Sequence, residues 1–488
     1  MSDVPVFAVV VAVVSAAVLV AVFSNRLGAV LRVPSAAIFL VGAAIVSDLV
    51  PRLATIPITV VQRVVTVCLI FILFDGGMHI GWRRLRPAAG AVTWLGVAGT
   101  LVTAGGAAAI AHWMLGLAWF PALLIGTALA PTDPAVVFSV LGRREIKGRT
   151  GTILEGESGA NDPVGIALMI ALIGSAGVSS WHAVGVGVGT FALEMAVGLV
   201  IGAAGGYLLQ LLMRRVALPN DALSALRTLA CATLVYGVAT FLHGSGFLAV
   251  FLAGIFVGDI RAPYKPETER LSGAVASLSE IVAFTVLGLT VSLNAELHGH
   301  DLLPALALAL LLIVVVRPVL VGLVLLPIRL RIGERAFVLL AGLKGAVPIL
   351  LGTFALGAGV PEAARIYRII FVVVLVSVVL QGGLAPTMAR LLHVPMREVE
   401  PAPWALGMRF REQPQGLQRY VIRAGARADG STIADLPIED RAWISMVSRS
   451  GELLQVRGDT TLHAGDEVLV LADPDDEHGL ALLFTRRH

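Results

Sequence analysis

Residues 118–141, AWFPALLIGTALAPTDPAVVFSVL, form an apolar stretch long enough to cross about 30 Å of hydrocarbon as a helix. Its middle carries PTDP at residues 131–134, and two prolines so close together remove two backbone donors and clash with the preceding turn. A broken helix at membrane depth leaves N–H and C=O groups without helical partners, which is tolerated only where they line a cavity or a site. The stretch therefore predicts a discontinuous membrane helix beside a binding site.

A second apolar stretch, residues 334–357, is interrupted by GLKGAVP at residues 342–348. Two interrupted spans, seven apart in order, indicate inverted repeats with a binding site near the middle of the bilayer. In such a crossing, Asp133 would compensate the positive ends of half-helices and Lys344 the negative ends. Proline-kinked helices that merely pack against each other are the alternative.

The composition of the whole chain agrees with a membrane protein. Of its 488 residues, 14% are charged and 57% hydrophobic, whereas about a quarter of a soluble protein is charged, and the mean hydropathy is +0.88. The net charge of +3 is too small to indicate a nucleic-acid partner. Both cysteines lie inside apolar runs, so neither a disulfide nor a metal cofactor is expected.

We predict an all-α polytopic membrane protein with about 13 transmembrane helices, two of which (spans 5 and 12) are crossed and discontinuous. The spans are residues 4–24, 33–50, 57–78, 88–111, 118–141, 151–174, 184–212, 222–242, 245–258, 272–294, 303–327, 334–357 and 366–392. The first span has no basic leader and precedes many others, so we interpret it as a helix rather than a signal peptide. Lys and Arg concentrate in the loops after odd-numbered spans, which predicts an outside N-terminus and a cytoplasmic C-terminus.

Ionisable residues at membrane depth are expensive and usually functional. Those singled out here are Asp75, Asp133, Glu157, Asp162, Arg317 and Lys344. In span 6, Ser158 and Asp162 are four residues apart and share one helix face, while Glu157 and Asn161 share the adjoining face. Asp162 beside the break at Thr132 would place carboxylate, hydroxyl and free carbonyl oxygens around one point. Oxygen ligands of this kind suit a hard cation.

Three of these residues have a second interpretation. Asp162 could instead make a satisfied hydrogen bond between helices. For Glu157 we favour a buried ion pair with Arg317 that holds spans 6 and 11 together. Asp75 is either a member of the cation shell or the partner of Lys344.

Four motifs carry a family resemblance: FDGG at 74–77, PTDP at 131–134, GESGANDP at 156–163 and GLKGA at 342–346. Over about residues 1–395 the chain resembles the monovalent cation:proton antiporters of the first (sodium/proton exchanger) family, and its bacterial potassium/proton branch in particular. The resemblance implies a homodimer in the bacterial cell membrane. It also implies a core with two crossed, broken helices that moves as an elevator.

Carried onto this sequence, the resemblance implies that a monovalent cation and a proton bind Asp162 alternately. Ser158, the backbone of Thr132, Asp75 and Asp133 would complete the shell. Asn161 separates this family from relatives with two adjacent aspartates and implies electroneutral exchange. Lys344 is a departure, because the family usually has Arg there and Lys lacks its planar fork.

The chain changes character after residue 395. Residues 396–417 read as a linker, and residues 418–488 as a small cytosolic α/β domain. This domain resembles the C-terminal half of potassium-transport regulators (TrkA-C, or RCK-C), through GSTI at 430–433, GDTTL at 458–462 and AGDE at 464–467. We expect it to sense a cytosolic effector such as cyclic di-AMP. A dimerisation or stability module without ligand is the alternative.

The predicted function is a secondary active cation:proton antiporter, with K⁺ favoured by the tail and Na⁺ left open. A ligand-gated cation channel is the main competitor, since similar tails gate channels, but no TVGYG-like filter is present. An enzyme is not expected, because there is no HExxH motif and Ser158 has no histidine in its span.

Overall fold

The computed structural model describes a mostly helical chain that divides into two units, Met1–Glu398 and Val399–His488. The described residues are 34–50, 56–134, 137–138, 141, 144–146, 148–175, 181–216, 218–260, 262, 265–294, 300–398, 417–438, 442–449, 452–472 and 477–485. Predicted span 1 lies outside them.

The helices of the first unit follow the apolar runs of the sequence. They are α1 (Ser35–Leu49), α2 (Ile58–Leu85), α3 (Ala89–Leu115), α4 (Trp119–Ala128), α5 (Arg149–Gly174), α6 (Trp181–Arg215), α7 (Asp221–Phe241), α8 (Gly246–Gly258), α9 (Lys265–Leu289), α10 (Leu302–Val324), α11 (Ile332–Leu340), α12 (Ala346–Gly357) and α13 (Ala363–Leu391). Side-chain oxygens cap the starts of α7 and α8, where Asn220 and Ser245 accept hydrogen bonds from the backbone N–H groups of Leu223 and Leu248.

Seven of these described helices, α2, α3, α6, α7, α9, α10 and α13, have the length and composition needed to cross a membrane. The helices α1, α4, α8 and α12 are apolar but shorter. Predicted spans 2 to 13 each coincide with helical structure, and the predicted class, a helical membrane protein with a small C-terminal sheet domain, is confirmed.

Small residues allow the helices to pack closely. A Cβ atom added to Gly77 of α2 would lie 2.3 Å from the carbonyl oxygen of Phe251 in α8, and one added to Gly254 would lie 2.3 Å from that of Phe74. The two backbones are therefore in direct contact at this crossing, as is common between membrane helices.

Three of the described helices contain a π-helical segment: Leu95–Gly99 in α3, Leu312–Val321 in α10 and Ser377–Gly382 in α13. A π-turn widens the helix by one residue and changes which side chains face a neighbour; such turns are frequent at functional sites. The segment in α3 packs on α5 beside the predicted cation site, since a Cβ on Gly96 would lie 2.5 Å from that of Ala160.

The predicted linker differs from the structure at its start. Residues Met396–Glu398 form a strand, β2, which pairs antiparallel with β1 (Arg144–Ile146) just before α5. The sequence could not indicate this pairing, because the two short strands are about 250 residues apart and neither has a strand-like pattern. Residues 399–416 of the predicted linker lie outside the described part.

The second unit contains a four-stranded antiparallel sheet. Its strands are β3 (Leu417–Val421), β4 (Ala442–Arg449), β5 (Glu452–Leu454) and β6 (Glu467–Ala472), in the spatial order β3-β6-β4-β5, followed by helix α14 (Glu477–Thr485). The alternating burial of β6 places Val468 and Val470 in a core with Ile444 and Phe484. A short 3₁₀ turn, Ile433–Asp435, lies between β3 and β4.

Candidate functional site

Both predicted helix interruptions are present. Helix α4 ends at Ala128, and residues 131–134 are non-helical before helical structure returns at 137–138. Likewise, α11 ends at Leu340 and α12 begins at Ala346. The prolines and glycines of the two motifs account for the breaks, because prolines remove backbone donors and glycines have no strong helical preference.

The two breaks contact each other directly. The backbone N–H of Asp133 donates to the carbonyl of Leu343 at 2.8 Å. The side-chain Nζ of Lys344 donates to the carbonyls of Ala130 and Pro131, both at 3.2 Å. Backbone groups that have no helical partner at the breaks thus form hydrogen bonds with the other broken helix, as burial in an apolar medium requires.

Arg317, on the π-helical segment of α10, satisfies further carbonyls at the end of α11. Its Nε donates to Leu339 at 2.9 Å and its Nη2 to Val338 at 3.2 Å. Nη2 also lies 2.9 Å from Oε1 of Glu157 on α5, and both side chains of this ion pair are about 5% exposed or less. The arginine therefore links α5 and α10 to the broken helix pair.

Glycines in the second break leave room for these side chains. A Cβ on Gly342 would lie 1.9 Å from Cζ of Arg317, and one on Gly345 would lie 2.2 Å from Oδ2 of Asp133. Two side chains at the crossing thus occupy the space that larger residues at 342 and 345 would need.

Asp162 lies on α5, only 6% exposed, against this crossing. Asp133 and Lys344 are the charges that act on it, with opposite signs. Its carboxylate has no hydrogen bond or salt bridge to another described residue. Pro163 follows within the helix and, having no N–H, cannot donate the usual helical hydrogen bond to the carbonyl of Gly159.

Asn161 and Thr132 connect α5 to the first break. Nδ2 of Asn161 donates to Oγ1 of Thr132 at 2.7 Å, and both residues are buried. In the described part of the chain, Oδ1 of Asn161 is buried without a hydrogen-bond partner. Ser158, one turn before Asp162, is also buried. The structure thus bonds Asn161 to Thr132 and brings Asp162 within the influence of the charges of Asp133 and Lys344, while the place of Ser158 in a cation shell stays a prediction.

Asp75 is not the partner of Lys344, whose Nζ donates instead to the two carbonyls of the first break. Oδ2 of Asp75 lies 3.2 Å from Nδ1 of His79, one turn further along α2. Its Oδ1 is buried with no hydrogen-bond partner in the described residues. The ion-pair alternative for Asp75 is therefore wrong, and its membership of the cation shell stays a prediction.

Sequence reasoning missed Glu280, in the apolar part of α9. Its Oε1 is buried without a hydrogen-bond partner in the described chain, and the charge of Asp133 acts on it. The signal was available, because Glu280 lies inside predicted span 10 and should have been counted among the ionisable residues at membrane depth.

Comparisons with known proteins identify two families along the chain. Residues 13–391 match the family model described as "Sodium/hydrogen exchanger, transmembrane", and residues 417–485 match the TrkA-C domain. The chain is 36% identical over 416 residues to the "K(+)/H(+) antiporter NhaP" of Alkalimonas amylolytica, covering 84% of this chain and 72% of that protein. It is 32% identical over 424 residues to the "K(+)/H(+) antiporter NhaP2" of Shewanella sp. strain ANA-3, covering 86% and 73%.

A solved structure shares the fold. The sodium proton antiporter MjNhaP1 of Methanocaldococcus jannaschii superposes with a TM-score of 0.68 at 22% sequence identity, covering 79% of this chain and 99% of that one. The likeness extends over nearly the whole of MjNhaP1.

Proposed function

This chain belongs to the sodium/hydrogen exchanger family and is a membrane cation:proton antiporter rather than an enzyme, and we propose that it exchanges K⁺ for H⁺ at Asp162. The observation that carries the proposal is that this carboxylate is buried, that the charges of Asp133 and Lys344 at the two helix breaks act on it, and that it has no hydrogen bond or salt bridge to another described residue. A carboxylate without a fixed partner is free to bind either a cation or a proton.

Competition for one carboxylate is sufficient for exchange. When Asp162 holds a cation or a proton, its charge is compensated and the carrier can cross; when it holds neither, a buried anion remains and crossing is costly. Each passage then carries one ion in place of the other. One cation for one proton makes the exchange electroneutral, with Lys344 remaining at the helix crossing rather than carrying a proton.

Oxygen atoms near Asp162 would complete the cation shell. Ser158 and the backbone of Thr132 supply a hydroxyl and a carbonyl, and Asp133 lies at the break itself. Asn161 orients Thr132 through the bond from its Nδ2. Asp75 has a buried, unpartnered oxygen on the neighbouring α2, which suits a position on the route to the shell or within it. All are hard oxygen ligands, which favour alkali ions over soft metals.

The carrier works by an elevator movement in a homodimer embedded in the bacterial plasma membrane. Arg317 bonds the second broken helix to α5 and α10, and Lys344 bonds it to the first break and, through Ser377, to α13, so these elements can move as one body. The excess of basic residues in alternate loops supports an outside N-terminus and a cytoplasmic tail.

Potassium is favoured over sodium by two observations. The relatives from Alkalimonas and Shewanella are named K(+)/H(+) antiporters, and the tail matches the TrkA-C domain. The tail senses a cytosolic ligand, with a cyclic dinucleotide as the first candidate to test by titration against the full-length protein.

Proton flux in liposomes tests the proposal. Purified protein is assayed with K⁺, Na⁺ and Li⁺ at several pH values, beside Asp162→Asn. We expect cation-driven proton movement that is greatest with K⁺ and absent in Asp162→Asn at wild-type yield. Full exchange by that variant would refute the mechanism, and voltage-driven current without a pH gradient would favour a channel.

A further inference from the structure

Two side chains of α13, Ser377 and Gln381, form hydrogen bonds with the backbone on either side of the second helix break. Neither belongs to a motif singled out in the sequence. The backbone N–H of Lys344 donates to Oγ of Ser377 at 2.9 Å. Oγ of Ser377 donates in turn to Oε1 of Gln381 at 2.5 Å, and Nε2 of Gln381 donates to the carbonyl of Leu340 at 3.0 Å. This series of hydrogen bonds thus starts and ends on the backbone of one broken helix.

The polarity of this chain is fixed at every step. A backbone N–H can only donate, so Oγ of Ser377 accepts from Lys344 and its own proton goes to Gln381. The carbonyl of Leu340 can only accept, so the amide of Gln381 must present its nitrogen there. Leu340 is the last residue of α11, and Lys344 lies two residues before α12. The two side chains therefore set the distance across the break.

The location of the pair on the π-helical segment Ser377–Gly382 supports a specific role. Arg317, which binds the neighbouring carbonyls of Val338 and Leu339, lies on a second π-helical segment, that of α10. Both irregular turns thus aim polar side chains at the same break, and π-turns that persist despite their cost are often functional.

The surroundings leave the pair little freedom. Ser377 is 1% and Gln381 9% exposed. The cavity beside them, which Thr103, Arg317 and Lys344 also line, has a volume of about 10 Å³, about the smallest that holds one water molecule. Removing the Ser377 hydroxyl takes away the acceptor of the Lys344 N–H, and removing the Gln381 amide takes away the donor to the Leu340 carbonyl, so we expect either loss to shift the backbone at the break.

We propose that Ser377 and Gln381 are positioning residues for cation exchange, acting through Lys344. Lys344 Nζ holds the carbonyls of Ala130 and Pro131, immediately before Thr132, and its charge acts on Asp162. A shift of the Lys344 backbone therefore changes both the oxygen shell and the charge balance at Asp162. This proposal rests on the proposed exchange at Asp162.

The test compares Ser377→Ala with Ser377→Thr, which keeps the hydroxyl, and with Gln381→Leu, each in liposomes. The control is Ser47→Ala. Ser47 is a buried serine of α1 whose hydroxyl donates to the carbonyl of Leu289. We expect Ser377→Ala and Gln381→Leu to raise the half-saturating K⁺ concentration about fivefold, the effect of losing roughly one hydrogen bond, and to shift the pH profile.

The double variant Ser377→Ala/Gln381→Leu should raise the half-saturating K⁺ concentration little more than either single change, because both substitutions break the same series of hydrogen bonds. Ser377→Thr should restore wild-type behaviour, and Ser47→Ala should leave half-saturation unchanged. An unaltered half-saturation and pH profile in any active Ser377→Ala or Gln381→Leu protein, or a threonine variant no better than alanine, overturns the proposal. If neither loss variant folds while Ser47→Ala does, the role is structural and the proposal also fails. Exchange that persists in Asp162→Asn would instead refute the underlying mechanism.

Discussion

Nζ of Lys344 lies 3.2 Å from the carbonyl oxygen of Pro131. A basic side chain from the second broken helix thus binds the interrupted backbone of the first. The carbonyls at the end of α4 form the negative pole of a half-helix, and a positive side chain there is electrostatically favourable. This contact explains how a lysine is retained at membrane depth: it satisfies two carbonyls that have lost their helical partners.

Replacing Lys344 tests this contact. Lys344→Met should leave the carbonyls of Ala130 and Pro131 unpaired, at a cost of about 2 kcal/mol, and abolish cation-driven proton flux. Lys344→Arg keeps the charge, and its planar fork can reach both carbonyls, so it should retain substantial exchange. Thermal unfolding in detergent and flux in liposomes measure the two effects. Wild-type stability in the methionine variant would show that the carbonyls are satisfied in another way.

The Glu157–Arg317 pair gives an asymmetric prediction. Removing either partner leaves an uncompensated buried charge, which typically costs about 3–5 kcal/mol. Arg317 also bonds the carbonyls of Leu339 and Val338, so Arg317→Met should lower folded yield and melting temperature more than Glu157→Gln. Size-exclusion chromatography of fluorescently tagged variants measures the yield.

A charge exchange of the two residues sharpens this test. Glu157→Arg combined with Arg317→Glu restores opposite charges, but a glutamate at 317 cannot donate to Leu339 or Val338. The exchanged protein should therefore recover only part of the loss. Full recovery would mean that the carbonyl bonds contribute little and that the ion pair alone matters.

The sequence was most informative where a residue type has one dominant physical consequence. The prolines of PTDP and the glycines around Lys344 located both helix breaks, and the apolar runs located the described helices. Contacts between helices were harder to predict. Ser377 and Gln381 bond the backbone of another helix, and such bonds leave no periodic pattern in the sequence.

Two errors had simpler causes. His79, the actual neighbour of Asp75, was missed because span 3 was ended at residue 78, whereas α2 continues to Leu85. With the helix extended, the four-residue spacing of Asp75 and His79 would have predicted their contact. Glu280 was missed because one acid in a long apolar run changes the hydropathy little.

Gly345 provides a steric test of the crossing. A Cβ at this position would lie 2.2 Å from Oδ2 of Asp133, so Gly345→Ala should displace Asp133 and reduce exchange at least tenfold. Gly42 of α1 has nothing within 4 Å of its added Cβ and is a matched control. Gly42→Ala should leave flux unchanged and slightly stabilise the helix, because alanine has the better helical propensity. Equal activity of the two variants would contradict the close approach at Gly345.

The tail should lose stability in acid for an identifiable reason. Oδ1 and Oδ2 of Asp466 accept hydrogen bonds from Nε and Nη2 of Arg449, both at 2.8 Å, and Oδ2 also accepts from the backbone N–H of His463. The Arg449 side chain, as the largest cause, holds the pKa of Asp466 below its usual value. A carboxylate with a lower pKa in the folded state stabilises the fold above its unfolded pKa of about 3.9 and loses that contribution as the pH falls through its folded pKa.

Asp466→Asn removes this contribution in the full-length protein. At pH 7 it should speed hydrogen exchange in strands β4 and β6 relative to the wild type, because Arg449 loses its paired acceptor. The stabilisation by the wild-type carboxylate declines below about pH 4 and is lost as the pH falls through the lowered folded-state pKa of Asp466, so the ratio of exchange rates between variant and wild type should approach one there. Comparing both proteins at the same pH cancels the intrinsic pH dependence of exchange. A ratio that is constant from pH 7 down to the acid limit would show that the charge on Asp466 does not stabilise the tail.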